Sequence, residues 1–104
     1  MITIVHKIRL KPGIDSERFE RWVREVDYAA CPDIPSALGF AVHRASTAPG
    51  APFHYFEVIR IADAAAFDRD MATPMFQRLV ADFDQMAEVV EEITGDKLEP
   101  GYER

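Results

Sequence analysis

The chain has 104 residues, of which 48% are hydrophobic and 29% charged, and its formal net charge is −6 at pH 7. This length fits one domain, and the apolar content excludes a disordered or low-complexity chain. The acidic balance argues against nucleic acid and anionic membranes as partners, because binding to phosphate needs a basic face. A roomy cavity inside so short a single chain is not expected, so a ligand pocket would be shared with a partner chain.

The cysteine content and the start of the chain bear on its location. The single cysteine, Cys31, rules out an internal disulfide and fits a reducing compartment. No signal-peptide pattern precedes the first predicted strand, and no apolar stretch approaches the length needed to span a membrane. We therefore expect a cytoplasmic protein.

The first third of the chain predicts a strand and then a helix. Apolar residues alternate over Ile2–Leu10, with His6 on the apolar face, and Lys11-Pro12-Gly13 ends the strand. Asp15 or Ser16 then caps a helix. Its apolar residues recur at helical spacing: Phe19, Trp22, Val23 and Val26. The pattern decays near Tyr28, and the prolines at 32 and 35 stop it.

The rest of the chain predicts two more strands and two helices. Residues 38–46 form a second strand, 47–52 a turn, and 53–61 the strongest strand, rich in aromatic and β-branched residues. Asp63 caps a short helix over 64–72, and Thr73-Pro74 opens another helix. Residues 86–94 are ambiguous, because they either continue that helix or form a fourth strand.

The element order β-α-β-β-α-β predicts an α+β, ferredoxin-like fold in a single domain spanning residues 1–104. The helices of this fold cover one face of a four-stranded antiparallel sheet. The third strand is apolar on both faces, with Phe56 and Val58 on one and Tyr55, Ile59 and Ile61 on the other. Because helices cover only one face, we predict a homodimer whose sheets pack face to face.

Three histidines, His6, His43 and His54, fall on the three predicted strands, and none has the spacing of a metal motif. His54 shares a face with Phe56, which we assign to a cavity between the sheets. If His6 faces the same cavity, two imidazoles in an apolar pocket would suit proton transfer near neutral pH. The alternative is a buried histidine bonded to backbone or water. His43 lies among small residues and is interpreted as a solvent-side residue.

Other polar and aromatic side chains have ordinary structural interpretations. Glu57 cannot share the face of His54 in a regular strand, and we expect it to pair with an arginine or cap backbone groups. Asp70 ends a short helix, where a carboxylate is usually solvated. Trp22 and Tyr28 belong to a helix stripe that is normally core, although one or two such rings can reach a cavity edge. No nucleotide, flavin or nucleophilic-serine motif is present, and we expect no cofactor and no metal.

Several segments resemble the dimeric α/β-barrel superfamily, which includes antibiotic-biosynthesis monooxygenases, stress-responsive barrel proteins and small polyketide cyclases. They are Lys11-Pro12-Gly13, residues 53–58 (FHYFEV) and residues 67–76 (FDRDMATPMF). The whole chain is more closely similar to the RedY-like (HapK-type) proteins associated with prodiginine and bisindole pathways. That similarity lies in Ala45-Ser46, Arg69-Asp70-Met71, Gly101-Tyr102 and the strand that contains His54.

The resemblance implies a barrel formed between two chains, each with a cleft between sheet and helices. A third-strand histidine lines the cleft of the small cyclases, which places His54 there. The inward face of the first strand would carry His6 and Ile8. Phe76 stands about where those cyclases have a second histidine, and Asp70 where the monooxygenases often have one. The RedY-like similarity also implies a pyrrole- or indole-derived substrate.

We therefore expect a cofactor-independent tailoring enzyme that catalyses cyclisation, dehydration or a related step on an aromatic heterocycle. His54 and His6 would move protons, and Asp70 would orient or tune them. Six residues would contact the substrate: Trp22, Tyr28, Ile8, Phe56, His43 and Phe76. The alternatives are a cofactor-free monooxygenase, a non-catalytic protein that shields a reactive intermediate and, with less support, a haem-binding protein.

Overall fold

One four-stranded antiparallel sheet forms the centre of the molecule. The computed structural model describes all 104 residues. Its strands are β1 (Ile2–Leu10), β2 (Ala37–Arg44), β3 (Tyr55–Ile61) and β4 (Ala87–Asp96). They are arranged in the order β2-β3-β1-β4, which confirms the predicted ferredoxin-like fold. The ambiguous segment forms a strand from residue 87 onward.

The first helical region changes its winding part-way along. Helix α1 (Ser16–Trp22) begins after Asp15, whose carboxylate accepts a hydrogen bond from the backbone N–H of Glu17. A π-helical turn over Val23–Asp27 follows, and then the short α2 (Tyr28–Ala30) and a 3₁₀ turn over Cys31–Asp33. Sequence periodicity predicted the helix but not this change of winding.

Two further helices lie between β3 and β4, as predicted. Helix α3 (Ala64–Met71) begins at Asp63, which accepts from the N–H of Ala66. Helix α4 (Pro74–Met86) begins at Thr73, whose hydroxyl accepts from the N–H of Phe76. Both caps satisfy backbone donors that have no partner inside their helix. No helix of the protein is both long and apolar enough to cross a bilayer.

The core lies between the helices and one face of the sheet. One cluster joins Ile8 and Tyr55 to Phe19 and Val23 of the first helical region. A second cluster joins Ile59 and Ile61 to Ile34 and Phe67. Both clusters use the same face of β1 and β3, because alternate residues of a strand share a face.

Cross-strand pairing aligns side chains into rungs on each face of the sheet. On the helix-covered face, His6 pairs with Glu57 on one side and with Glu92 on the other. On the opposite face, a rung runs across all four strands through Ala41, Val58, Val5 and Ile93. No helix covers this second face, which we call the open face.

Candidate functional site

A cavity of about 290 Å³ lies between the helices and the sheet. Of its 17 lining residues, 13 are hydrophobic, and they include five aromatic side chains: Trp22, Phe40, Phe67, Phe76 and Phe83. Five lining residues have ionisable side chains, and one of them, Cys31, is also counted among the hydrophobic ones: His6, Asp27, Cys31, Glu57 and Asp84. A single chain therefore lines a small cavity by itself, where we expected a pocket shared with a partner chain.

His6 lies between two carboxylates. Its Nδ1 is 2.7 Å from Oε2 of Glu57, and its Nε2 is 2.6 Å from Oε2 of Glu92. Because ionised carboxylates only accept hydrogen bonds, both ring nitrogens must donate, which is the pattern of an imidazolium. The hydrogen bond to Glu57 is the main cause that raises the pKa of His6, the bond to Glu92 adds to it, and burial opposes both.

The two carboxylates beside His6 differ in exposure. The side chain of Glu57 is 14% exposed and that of His6 is 18% exposed, whereas that of Glu92 is 60% exposed. Glu57 lies on the central strand β3, and Glu92 lies on the edge strand β4. Glu57 is therefore the fixed partner that orients the imidazole, and Glu92 is the partner that a ligand can displace.

Asp27 brings a further carboxyl group to the cavity. No hydrogen bond or ion pair engages its side chain. Burial, together with the nearby charge of Glu57, raises the pKa of Asp27 to about 7. The thiol of Cys31 donates to the backbone carbonyl of Asp27 at 3.5 Å, and burial followed by the charge of Asp27 raises its pKa.

His54 does not share this cavity with His6, so that expectation was wrong. Its Nδ1 accepts from the backbone N–H of Leu10 at 3.0 Å, and its Nε2 lies 3.1 Å from the carbonyl oxygen of Ala48. The residue is 7% exposed. Strand alternation explains the separation, because His6 pairs with Glu57 on the helix-covered face, and His54 is an odd number of residues away from Glu57.

Asp70 and Ile8 also lie outside the cavity lining, contrary to their predicted places. A carboxylate oxygen of Asp70 accepts from the backbone N–H of Ser36 at 2.9 Å and from its hydroxyl at 2.5 Å. These bonds lower the pKa of Asp70 and attach the end of α3 to the turn before β2. Ile8 is fully buried in the first core cluster.

The structure separates the remaining predicted contacts into two groups. Trp22 and Phe76 line the cavity. His43 and Phe56 stack on each other on the open face, with ring centroids 4.8 Å apart, so they cannot reach it. Tyr28 accepts from the N–H of Val42 and borders a separate polar depression.

Sequence reasoning missed three acidic residues of the site: Asp27, Glu57 and Glu92. The partner expected for Glu57 was an arginine or nearby backbone groups, whereas its side-chain partner is His6. The strand register could have identified His6 as the partner of Glu57. A β1–β3 pairing that sets Ile2 opposite Ile61 also sets His6 opposite Glu57. Glu92 lay in the ambiguous segment, and a helical pattern gave no reason to turn Asp27 inward. The structure contains no group of three His, Cys, Asp or Glu side chains arranged to hold a metal ion.

Comparison with known proteins identifies the family. Residues 2–98 match the family described as REDY-like protein HapK. The chain belongs to the REDY-like HapK family. The crystal structure of HapK from Hahella chejuensis is 56% identical to this HapK-family chain, with a TM-score of 0.96, over 100% of this chain and 99% of that one.

More distant structures share the fold of this HapK-family chain. SnoaB from Streptomyces nogalater, described as a cofactor-independent oxygenase, is 17% identical with a TM-score of 0.74, over 94% of this chain and 93% of its own. A dimeric ferredoxin-like protein of unknown function from Thermobifida fusca is 12% identical with a TM-score of 0.66, over 90% of this chain and 86% of its own. Among curated proteins, none matches this chain.

Proposed function

We propose that this HapK-family protein is a cofactor-independent acid–base enzyme of secondary metabolism that acts on a pyrrole- or indole-derived intermediate. The observation that carries the proposal is the His6–Glu57 pair, 2.7 Å apart, in the wall of an aromatic-lined cavity. A histidine held by a carboxylate in a largely apolar site is a common arrangement for proton transfer.

The geometry supports a division of labour within the pair. Glu57 accepts from Nδ1 and fixes the plane of the ring, which leaves Nε2 as the nitrogen that a ligand could engage. A ligand that displaces the exposed carboxylate of Glu92 would take its place at Nε2. The Nε2–H proton would then pass to a leaving or carbonyl oxygen of the ligand, as cyclisation and dehydration both require.

The lining of the cavity supports a flat aromatic ligand. Aromatic rings from the first helical region, β2, α3 and α4 surround it, among them Trp22, Phe40 and Phe67. No lysine or arginine lines it, and its one basic group, His6, is already paired with Glu57 and Glu92, so it offers no free cation for a phosphate or a carboxylate of the ligand. The volume, about 290 Å³, is at the small end of ligand pockets.

The predicted homodimer remains part of this proposal. The open face presents an apolar rung through Val58 and Val5 to Ile93, which is 50% exposed. A second copy of the same sheet would cover this rung, which supports the face-to-face dimer expected from β3. The structural relative from Thermobifida fusca is described as dimeric.

Turnover of candidate intermediates by purified protein tests the proposed activity. Bipyrrole and bisindole compounds would be incubated with the wild-type protein and with His6→Gln, and products would be identified by mass spectrometry. We expect His6→Gln to lower turnover by ~10²–10⁴-fold. Wild-type turnover by folded His6→Gln would reject the proposal.

Two further measurements separate the alternatives. Oxygen consumption that matches product formation would identify a monooxygenase instead. Saturable binding of the intermediate without any product would identify a shielding protein.

A further inference from the structure

The π-helical turn explains why an acidic residue of an amphipathic helix points toward the cavity. In an α-helix, about 3.6 residues complete a turn, so the fifth residue after Trp22 would lie about 140° away around the axis. A π-helical turn, with bonds from residue i to i+5, needs more residues per turn. The N–H of Tyr28 bonds to the carbonyl of Val23 in this way. Trp22 and Asp27 consequently both line the cavity.

Asp27 has no cationic partner in that cavity. The ionisable groups that line it with Asp27 are His6 on β1, Glu57 on β3, Cys31 in the 3₁₀ turn and Asp84 on α4. His6 is the only basic group among them, and it already donates to Glu57 and to Glu92. The carboxyl of Asp27 therefore has no hydrogen-bond donor within the protein and faces the space that a ligand would occupy.

We propose that Asp27 is a second acid–base residue of this cavity, the base that complements His6 as the acid. The inference rests on the proposed function. In a dehydration, the Nε2–H of His6 would give its proton to the departing hydroxyl oxygen as the C–O bond breaks. The carboxylate of Asp27 would take a proton from a neighbouring C–H or N–H of the ligand, whose electron pair forms the new double bond. The net change is the loss of one water, and the proton on Asp27 returns to His6 through solvent.

This assignment predicts a particular pH dependence. Burial and the charge of Glu57 raise the pKa of Asp27 to about 7, which makes its carboxylate a stronger base than an ordinary one. Turnover should rise with pH as Asp27 ionises near pH 7, and fall again at higher pH as His6 loses its proton. The two groups together give a bell-shaped profile.

The test compares pH–rate profiles of the wild-type protein, Asp27→Asn, Asp27→Glu and His6→Gln on the same intermediate. We expect Asp27→Asn to lose at least ~10²-fold in turnover at pH 8 together with the rising limb, and Asp27→Glu to restore part of both. Wild-type rate and profile in Asp27→Asn, with His6→Gln inactive, would overturn the role of Asp27 and leave the proposed function standing. Wild-type rates in both variants would overturn both.

A second measurement needs no substrate. Carbon-detected NMR of the Asp27 carboxyl should show a titration midpoint near pH 7 in the wild-type protein. The midpoint should be lower in Glu57→Gln, because the nearby negative charge is gone. A midpoint near that of an ordinary aspartate in the folded wild-type protein would contradict the proposal.

Discussion

His6 acquires its chemistry from residues that are far away in the sequence. Glu57 is 51 positions away and Glu92 is 86, and each reaches His6 only through strand pairing. The sequence identified His6 as unusual because it interrupts an aliphatic face, but strand alternation alone cannot identify the partners of a residue. His54 is the opposite case. Its place in the strand pattern suggested a catalytic residue, whereas its hydrogen bonds are to backbone groups.

At the residue scale, we predict that Glu57→Gln lowers the pKa of His6 more than Glu92→Gln does. The bond to Glu57 is the largest cause of the raised pKa, and Glu92 is the more exposed partner. NMR titration of the His6 ring measures both variants. Equal shifts in the two variants would show that Glu57 is not the dominant partner.

The same raised pKa predicts how His6 contributes to stability. A histidine whose pKa is higher in the folded state stabilises that state below its unfolded pKa, and the contribution is lost as pH rises through the folded value. The stability that Glu57→Gln loses should therefore be larger at pH 5.5 than at pH 9, as urea unfolding would show.

Asp27 should also stabilise the folded state more at low pH than at high pH, but the cause here is burial of its carboxyl group. Its pKa is raised to about 7, so the folded state binds a proton that the unfolded state releases above about pH 4. Stability from this group is lost as pH rises from about 4 to 7. We expect Asp27→Asn to gain roughly 2–4 kcal/mol relative to the wild-type protein between pH 4 and pH 8. Urea unfolding at the two pH values would measure this, and a difference that does not change with pH would contradict it.

For His54 we predict a structural effect. His54→Gln removes at least one hydrogen bond to the backbone groups of Leu10 or Ala48, and the free energy of unfolding should fall by about 1–3 kcal/mol. Turnover per folded molecule should stay within a few-fold of wild type. A loss of ~10²-fold in fully folded protein would return His54 to the acid–base role that the sequence suggested.

At the scale of elements, local sequence signals were sufficient to predict most of the helices and strands. Strand alternation predicted β1, and the caps at Asp63 and Thr73 predicted the starts of α3 and α4. Two features depend on more than local signals. Residues 87–96 become a strand because they pair with β1, and the π-helical turn has no periodicity of its own. Both features supply carboxylates to the candidate site, which explains why sequence reasoning found the fold more completely than the site.

At the scale of the whole molecule, the sheet leaves one apolar face without a cover. Phe56 and Val58 face away from the helices, as the pattern of β3 predicted. The sequence could indicate that this face needs a cover, but a single chain does not contain the cover itself. A second copy is the simplest one, because the open face is formed by all four strands and an identical face could pack against it.

Substitution on the open face tests the dimer. Ile93→Asp places a charge on the apolar rung, and we expect light scattering at micromolar concentration to show a shift from dimer toward monomer. Leu98→Asp is the matched control, because Leu98 is 89% exposed and lies beyond the end of β4. A wild-type protein that is already monomeric would reject the dimer.

The position of Trp22 has a practical consequence. It is the only tryptophan of the chain, and it lines the cavity with its indole N–H 3.3 Å from a carboxylate oxygen of Asp82. Its intrinsic fluorescence therefore reports on one place alone, the wall of the proposed active site. Emission that shifts or is quenched as a compound enters would turn the unmodified protein into its own optical screen for ligands.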